Sequence, residues 1–526
     1  MPKVLVSDAL SETAVNIFKE RGVDVDYEPA LGKDKEKLAA VIGDYDGLAV
    51  RSATKATAPI IQAAKKLKVI GRAGIGVDNI DIPAATAAGV VVMNTPYGNA
   101  ITTAEHAIAM IFSLVRKIPQ ANQSTHAGKW EKSAFMGAEV FGKTLGVIGC
   151  GNIGAIVANR AIGLKMRVIA FDPFLTEERA VELGVEKTEL EQLLARADIV
   201  TLHTPLTDQT RNILSRENLG KLKKGAYVVN CARGGLVDEA ALKDALDDDH
   251  LAGAALDVYE TEPANEHPLF GHAKVVATPH LGASTREAQE NVAIQIAEQM
   301  ADYLTRGAVS NSLNSPSVTA EEAPRLKPFV ALAEKLGLFA GQLTQTGLKK
   351  IEITYEGEVA ALNTKPLTAA AVAGVLKPML QDVNVVNAPV IAKDRGVSVA
   401  ETYRDDADSY DSLIRLRIVT EMHERTVSGT IFGASPRIVE IKGVEMEAGF
   451  APHMLYTTNE DKPGFIGALG QTLGEAGVNI ATFNLGRSGP GEGAIALIAV
   501  DDPITDETLE KVRALPHVIQ ATALAF

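Results

Sequence analysis

The sequence predicts an α/β protein with two doubly wound parallel-sheet domains in succession, followed by an α+β domain and a small ferredoxin-like domain. Three observations carry this. Short apolar strands alternate with helical stretches through residues 1–96, and again from "KTLGVIGCGNIG" to "VVATPHLG". A glycine-rich turn opens the second run, between a strand and a helix. Residues 453–526 follow the order strand, helix, strand, strand, helix, strand, which is a split βαβ unit.

In chain order, "KVLVSD", "VDVDY", "GLAVRS", "KVIGRAG" and "VVVMNT" read as strands, separated by helices near 11–21, 34–42 and 57–65. "TAEHAIAMIFSLVRKI" is apolar on more than one face and reads as a long buried connecting helix. The second alternation then runs through "MRVIAFD", "DIVTLHTPL", "AYVVNCARG", "LAGAALDV" and "VVATPHLG". "NSLNSPSVTAEEAP" is polar and proline-containing, as a linker would be. Beyond it, "IEITYEG", "YDSLIRLRIVT", "TVSGTIFG" and "PRIVEIKGVEME" mix with helices and carry no chemically legible motif.

At 526 residues the chain is too long for one domain, and its net charge of −14 argues against nucleic acid or an anionic membrane as partner. Cys150 and Cys231, the two cysteines, have neither disulfide-framework nor metal-type spacing, so no metal site is expected. "MPKVLVSDAL" reads as strand and loop rather than signal peptide, and no apolar run reaches membrane-spanning length. A soluble, cytoplasmic protein is expected.

"GVIGCGNIG" places Gly149, Gly151 and Gly154 in GxGxxG spacing, with Asn152 and Ile153 between them and Asp172 about twenty residues on, at the end of the next strand. Gly149 makes the tight turn, Gly151 lets a pyrophosphate approach the backbone, and Gly154 allows close helix–strand packing. The helix N-terminus stabilises the phosphate charge. Asp172 suits a ribose diol and repels a 2′-phosphate, and "DPFLTEE" offers no cation, so NAD is favoured over NADP. Asp172 could instead be a strand-end turn former before Pro173.

Three further residues stand at strand ends of the same sheet: Arg233, Glu262 and His280. Singly, Arg233 could cap a helix, Glu262 could be a solvated loop charge, and His280 could be satisfied in a turn. Together they form an acid–base set for hydride transfer from a secondary alcohol. His280 takes the hydroxyl proton, Glu262 orients the ring, and Arg233 offers a planar fork to an adjacent carboxylate.

These residues lie in "NCARGGLVDE", "GAALDVYETEP" and "TPHLGAST", which with "VRSATK", "GRAGIGVDNID", "GCGNIG" and "DKPGFIGALGQTLGEAGVNI" span the chain. On them the sequence resembles the D-2-hydroxyacid dehydrogenase family, in its long phosphoglycerate-oxidising form with an intervening domain and a C-terminal ACT domain. The resemblance implies a discontinuous substrate-binding domain (1–97 and 283–313), a Rossmann NAD-binding domain (98–282), an intervening domain akin to an allosteric substrate-binding unit (317–450) and an ACT regulatory domain (453–526). It implies oxidation of 3-phospho-D-glycerate, a homotetramer and feedback by L-serine. Arg51 and Ser52 would take the phosphate, although Arg51 could be an interdomain ion-pair residue. Backbone amides at Ala73 and Gly74 would take the carboxylate, Asn99 would lie near the cleft, and Lys132 would reach the partner subunit's cleft. Thr204, Pro205, Cys231 and Asp257 would line nicotinamide and ribose, Cys231 through its backbone. In the ACT part, Asn459 and Asp461 in the loop "TTNEDKPGF", with Asn479 at the next strand, would hold the effector; Asp461 could otherwise be a helix N-cap. The rival readings are a glyoxylate or hydroxypyruvate reductase of the same family and an NAD-sensing binding protein.

Overall fold

The computed structural model describes residues 1–344, 347–406, 409–489 and 491–526. The first sheet is wholly parallel. Its strands Lys3–Val6, Asp24–Tyr27, Gly47–Val50, Val69–Arg72 and Val91–Met93 lie in the order second, first, third, fourth, fifth. Every residue of Gly47–Val50 and Val91–Met93 is buried, as the continuous apolar runs require in a sheet covered on both faces. Part of that cover comes from far along the chain. The helix Arg286–Arg306 buries Ile296 and Met300 against this sheet, and Gly71 leaves no room there for a side chain. Arg21 clamps the helix through Glu298 and Asp302.

The second sheet has seven parallel strands: Val275–Ala277, Leu251–Leu256, Ala226–Asn230, Ile199–Leu202, Thr144–Ile148, Arg167–Phe171 and Glu186–Lys187, in that spatial order. The winding reverses between Thr144–Ile148 and Ile199–Leu202, which puts a ligand crevice at their carboxyl ends. The helix Ala100–Val115 buries Ala104, Ala107 and Ile111 against this layer.

The third sheet is mixed, with only Leu348–Gly357 and Ser398–Arg404 running parallel. Two helices, Ala323–Gln342 and Lys365–Leu376, pack backbone to backbone on it, because Gly337, Gly341 and Gly374 bring each helix within about a methyl's reach of the other's carbonyls. Its loop near 384–387 grips the first domain: the Asn384 and Asn387 amides donate to the Gly89 and Ala87 carbonyls, and Val386 enters the first domain's core.

The fourth sheet is antiparallel, in the order Ile480–Arg487, Gly493–Val500, His453–Glu460, Val518–Ala525. Its helices Phe465–Glu475 and Asp506–Arg513 cover one face. The other face packs on Ala323–Gln342, where Tyr456 meets Phe339 edge-on and Gln342 exchanges two hydrogen bonds with Ala525. Among the described residues, no helix is long and apolar enough to cross a membrane, and no cluster of ligating side chains could hold a metal.

Candidate active site

The glycine loop has the geometry a dinucleotide needs. Gly149 sits at φ 90°, and a side chain there would strike the His203 carbonyl and the Thr204 amide nitrogen. Gly154 lies against the Gly149 carbonyl, while the space at Gly151 is open. Asn152 starts the helix Asn152–Gly163, with Ile153 in its first turn. Its free amides and dipole aim at the opening, the arrangement that holds a pyrophosphate. Asp172 lies at the mouth, but its carboxylate also builds the loop: one oxygen accepts from the Cys150 amide at 2.7 Å and the other from the Phe174 amide at 2.8 Å. Thr204 and Pro205 follow the strand on the far side of the switch point. Cys231 is buried and burial pushes its thiol up, which leaves it chemically quiet. The residues fit NAD.

His280 and Glu262 pair at 2.7 Å, Nδ1 to carboxylate. Glu262 accepts a second hydrogen bond from the Tyr259 amide at 3.0 Å. Burial pushes its carboxyl up, yet the bonds from His280 and Tyr259 outweigh this and hold it below its ordinary value. The Tyr259, His267 and Phe270 rings pack beneath this loop, and Glu239 ties His267 to the Glu260 amide. His280 sits at φ 57°, a left-handed backbone state that few non-glycine residues adopt.

Asp257 anchors the turn that carries His280. Its carboxylate accepts from the Thr278 hydroxyl at 2.6 Å and from the Leu281 and Gly282 amides at 2.7 and 2.8 Å, and lies 3.2 Å from His106. Burial pushes this carboxyl up, and these bonds outweigh it and keep the group ionised. Asp257 is completely buried, and its oxygens are committed to the segment that carries His280.

Arg233 follows the strand Ala226–Asn230, where the Asn230 amide holds its carbonyl. Its Nε pairs with Asp78 of the first domain at 3.2 Å, and its guanidinium lies on Gly76. Gly234 abuts the Tyr259 carbonyl, so it serves close packing that sets Arg233 beside the Glu262 loop. The Arg51 turn is rigid as well. Asp8 accepts from the Arg51 and Thr54 amides, and Asn79 donates to both carbonyls, leaving Ser52 exposed at the tip.

The structure adds a cation the motifs left unread. Arg72 ends the strand Val69–Arg72 and its guanidinium lies on Gly74. Burial, helped by Arg233 and Arg51, pushes it down to about 10, and its Nε has no hydrogen-bond partner. Three arginines therefore feel one another in one cleft, a field suited to a substrate with two anionic ends. The signal was available: "VIGR" ends in arginine just as "LAVR" does.

Other expectations change. The Ala73 amide donates to the Val50 carbonyl and the Gly74 amide to the Thr95 hydroxyl, so neither is free for a carboxylate. Among the described residues the Ile75 and Gly76 amides have no partner. Asn99 is buried at the start of Ala100–Val115, and its side-chain Oδ1 has no partner among the described residues. Lys132 lies in an exposed arm: the helix Ile118–His126 has no buried residue, Trp130 is 87% exposed, and Lys132 is itself exposed.

In the C-terminal domain the first strand runs to Glu460, so the expected loop is shorter than "TTNEDKPGF". Asp461 does not cap the helix Phe465–Glu475; it pairs with Arg487 and accepts from the Gly491 amide. Asn459 is buried and donates to the Glu460 carbonyl, with its own oxygen unpartnered. Asn479 bonds Asp501. Asn459 pairs with Ala494 and Ile480 with Val500, so Asn479 stands at the opposite end of the sheet from Asn459 and Asp461. One chain does not bring the three together.

Residues 108–282 match the D-isomer specific 2-hydroxyacid dehydrogenase NAD binding domain, 325–442 the D-3-phosphoglycerate dehydrogenase intervening domain, and 453–517 the ACT domain. The D-3-phosphoglycerate dehydrogenase of Archaeoglobus fulgidus is 43% identical over 524 residues, covering 99% of this chain and 99% of its own. That of Bacillus subtilis is 42% identical over 523 residues, covering 99% and 98%. Among solved structures, the TT0316 protein of Thermus thermophilus aligns with TM-score 0.55 at 35% identity, over 59% of this chain and 99% of its own. A glyoxylate reductase from Paecilomyes thermophila aligns with TM-score 0.55 at 29% identity, over 59% and 98%. Near-complete coverage by full-length relatives, with the intervening and ACT parts each matched in turn, sets the long form apart from the shorter reductase, and this chain belongs to the D-3-phosphoglycerate dehydrogenase family of NAD-dependent D-2-hydroxyacid dehydrogenases.

Proposed function

We propose that this chain oxidises 3-phospho-D-glycerate to 3-phosphohydroxypyruvate, the first step of L-serine biosynthesis, and that L-serine restrains it. The observation that carries the reading is the His280–Glu262 pair beside a cleft holding Arg51, Arg72 and Arg233. Bound NAD supplies the hydride acceptor for the hydrogen on the alcohol carbon. Neutral His280 donates Nδ1–H to Glu262, presents Nε2 to the substrate hydroxyl and takes its proton; the Glu262 carboxylate then stabilises the imidazolium. The Arg233 fork and the Ile75 and Gly76 amides hold the carboxylate. Arg51 and Arg72 hold the phosphate, with Ser52 at the tip and Asn99 at the cleft floor.

Assembly completes two sites in this reading. The exposed Trp130, Met136 and Phe141 give the arm an apolar surface that a second copy covers, carrying Lys132 towards the partner's cleft. Antiparallel pairing of two Ile480–Arg487 edges puts Asn479 of one chain against Asn459 and Asp461 of the other, where an amino acid fits between amide, carboxylate and helix start. Both contacts together give a homotetramer. The two buried thiols suit a reducing cytoplasm.

The test is initial-rate NAD reduction with 3-phosphoglycerate beside D-glycerate, D-lactate and glycolate. Two charge-assisted contacts, each worth about 1.5–3 kcal/mol, predict a preference of at least about 10²-fold in kcat/KM for the phosphorylated acid. Equal values across the four acids overturn the reading.

A further inference from the structure

A cavity of about 440 Å³ lies where the third sheet's domain meets the first, and none of the catalytic residues lines it. Small-molecule pockets span about 300–1,000 Å³ and favour domain junctions. The walls are mainly apolar: Val91 from the first sheet, Val330 and Ala369 from the two packed helices, and Val385 from the gripping loop. Val385 is 38% exposed, between the anchored Asn384 and Val386.

The polar groups are as informative as the walls. Arg306, at the end of the helix Arg286–Arg306, and Lys327 both line the cavity, and no carboxylate lines it. Among the described residues neither cation has an ion pair or a side-chain hydrogen bond. Tyr303 also lines it, and its hydroxyl has no hydrogen-bond partner among the described residues. Two cations and a phenol around an apolar hollow suit a ligand with an apolar body and an anionic end, since the body fills the hollow while the anion reaches the exposed cations at its rim.

The hollow is preformed. Asn384 and Asn387 hold the loop to the carbonyls at the C-terminal end of the helix Ile82–Ala87, so both walls keep their spacing without a ligand.

We propose that this junction is a binding site for a small amphipathic anion, an alkyl or aryl body ending in a carboxylate or phosphate held by Arg306 and Lys327. A ligand there touches both domains and so favours their docked arrangement by mass action. The site is independent of the catalytic reading.

The test is isothermal titration of the full-length protein, with NADH present to fill the cofactor crevice, using octanoate, octyl phosphate and 1-octanol as probes. Saturable binding of at least one anion, with at least tenfold weaker binding of 1-octanol, is the expected result. The tighter anion identifies the head group. The Arg306→Gln/Lys327→Gln double variant changes only exposed side chains and keeps the fold; it lowers anion affinity at least tenfold. Val330→Trp fills the hollow and removes binding of every probe. The proposal is overturned by no saturable anion binding, by 1-octanol matching the anions, or by unchanged affinity in either variant.

Discussion

Glu262→Gln is the sharpest probe of the proton relay, because it removes the charge and keeps an acceptor for His280. The amide oxygen can still accept the His280 Nδ1–H that the carboxylate now accepts at 2.7 Å, so ring orientation is kept, while the bond from the Tyr259 amide to the other oxygen is given up. What the proton relay loses is the charge assistance when His280 becomes an imidazolium. A hydrogen bond to a charged group is worth about 1.5–3 kcal/mol and a neutral one about 0.5–1.5 kcal/mol, a difference of about 1–1.5 kcal/mol. The His280 and Glu262 side chains are 48% and 33% exposed, so solvent screening keeps the effect at the lower end. At about 1.4 kcal/mol per factor of ten, kcat should fall about five- to tenfold, with the KM for NAD unchanged. Stopped-flow and steady-state rates of NADH formation measure it. The relay is refuted if kcat is unchanged, or if the loss equals that of deleting His280 outright. Stability has its own signature. The Glu262 carboxyl lies below its ordinary value of 4.5 in the folded chain, so its contribution is present above that pH and is lost as pH falls through the lowered value. The melting-temperature gap between wild type and Glu262→Gln should therefore be open at pH 7 and should close as the pH is taken well below 4.5.

His280→Ala should lower kcat about 10²–10⁴-fold while NADH binding, followed by fluorescence, stays near native; near-native turnover would exclude it as the base. Arg51→Ala should raise the KM for 3-phosphoglycerate and leave slow turnover of D-glycerate unchanged, whereas equal losses on both would remove the phosphate site. Asp172→Ala should erode the preference for NAD over NADP, and it should also cost about 1–3 kcal/mol of stability, because the Cys150 and Phe174 amides lose their acceptor. An unchanged cofactor ratio would mean that the carboxylate only builds the loop. Asn479→Ala should raise the serine concentration for half-inhibition of the initial rate by about tenfold or more, the loss of one hydrogen bond to a charged group, and inhibition that persists unchanged would move the effector elsewhere.

Much of this was legible along the chain because it depends on neighbours in sequence. Strand–helix alternation, the Gly149–Gly151–Gly154 spacing and the strand-end positions of Arg233, Glu262 and His280 are local patterns, and a parallel α/β sheet gathers strand ends at one edge whatever the details. Tertiary structure decided which polar atoms remain free. The Ala73 and Gly74 amides look available in "GRAGIG", but Val50 and Thr95 take them, and both lie more than twenty residues away. Asp257 follows a strand like any ligand-facing acid, yet the return segment at 278–282 folds over it and makes it the anchor of the turn that carries His280. Asn479 and Asn459 are near one another in the sequence of a small domain, but register sets them at opposite ends of one sheet. Spacing along a chain determines which groups an element presents. Whether each group is already satisfied depends on partners that only long-range packing supplies, since a buried donor or acceptor that can find a partner within the fold does so.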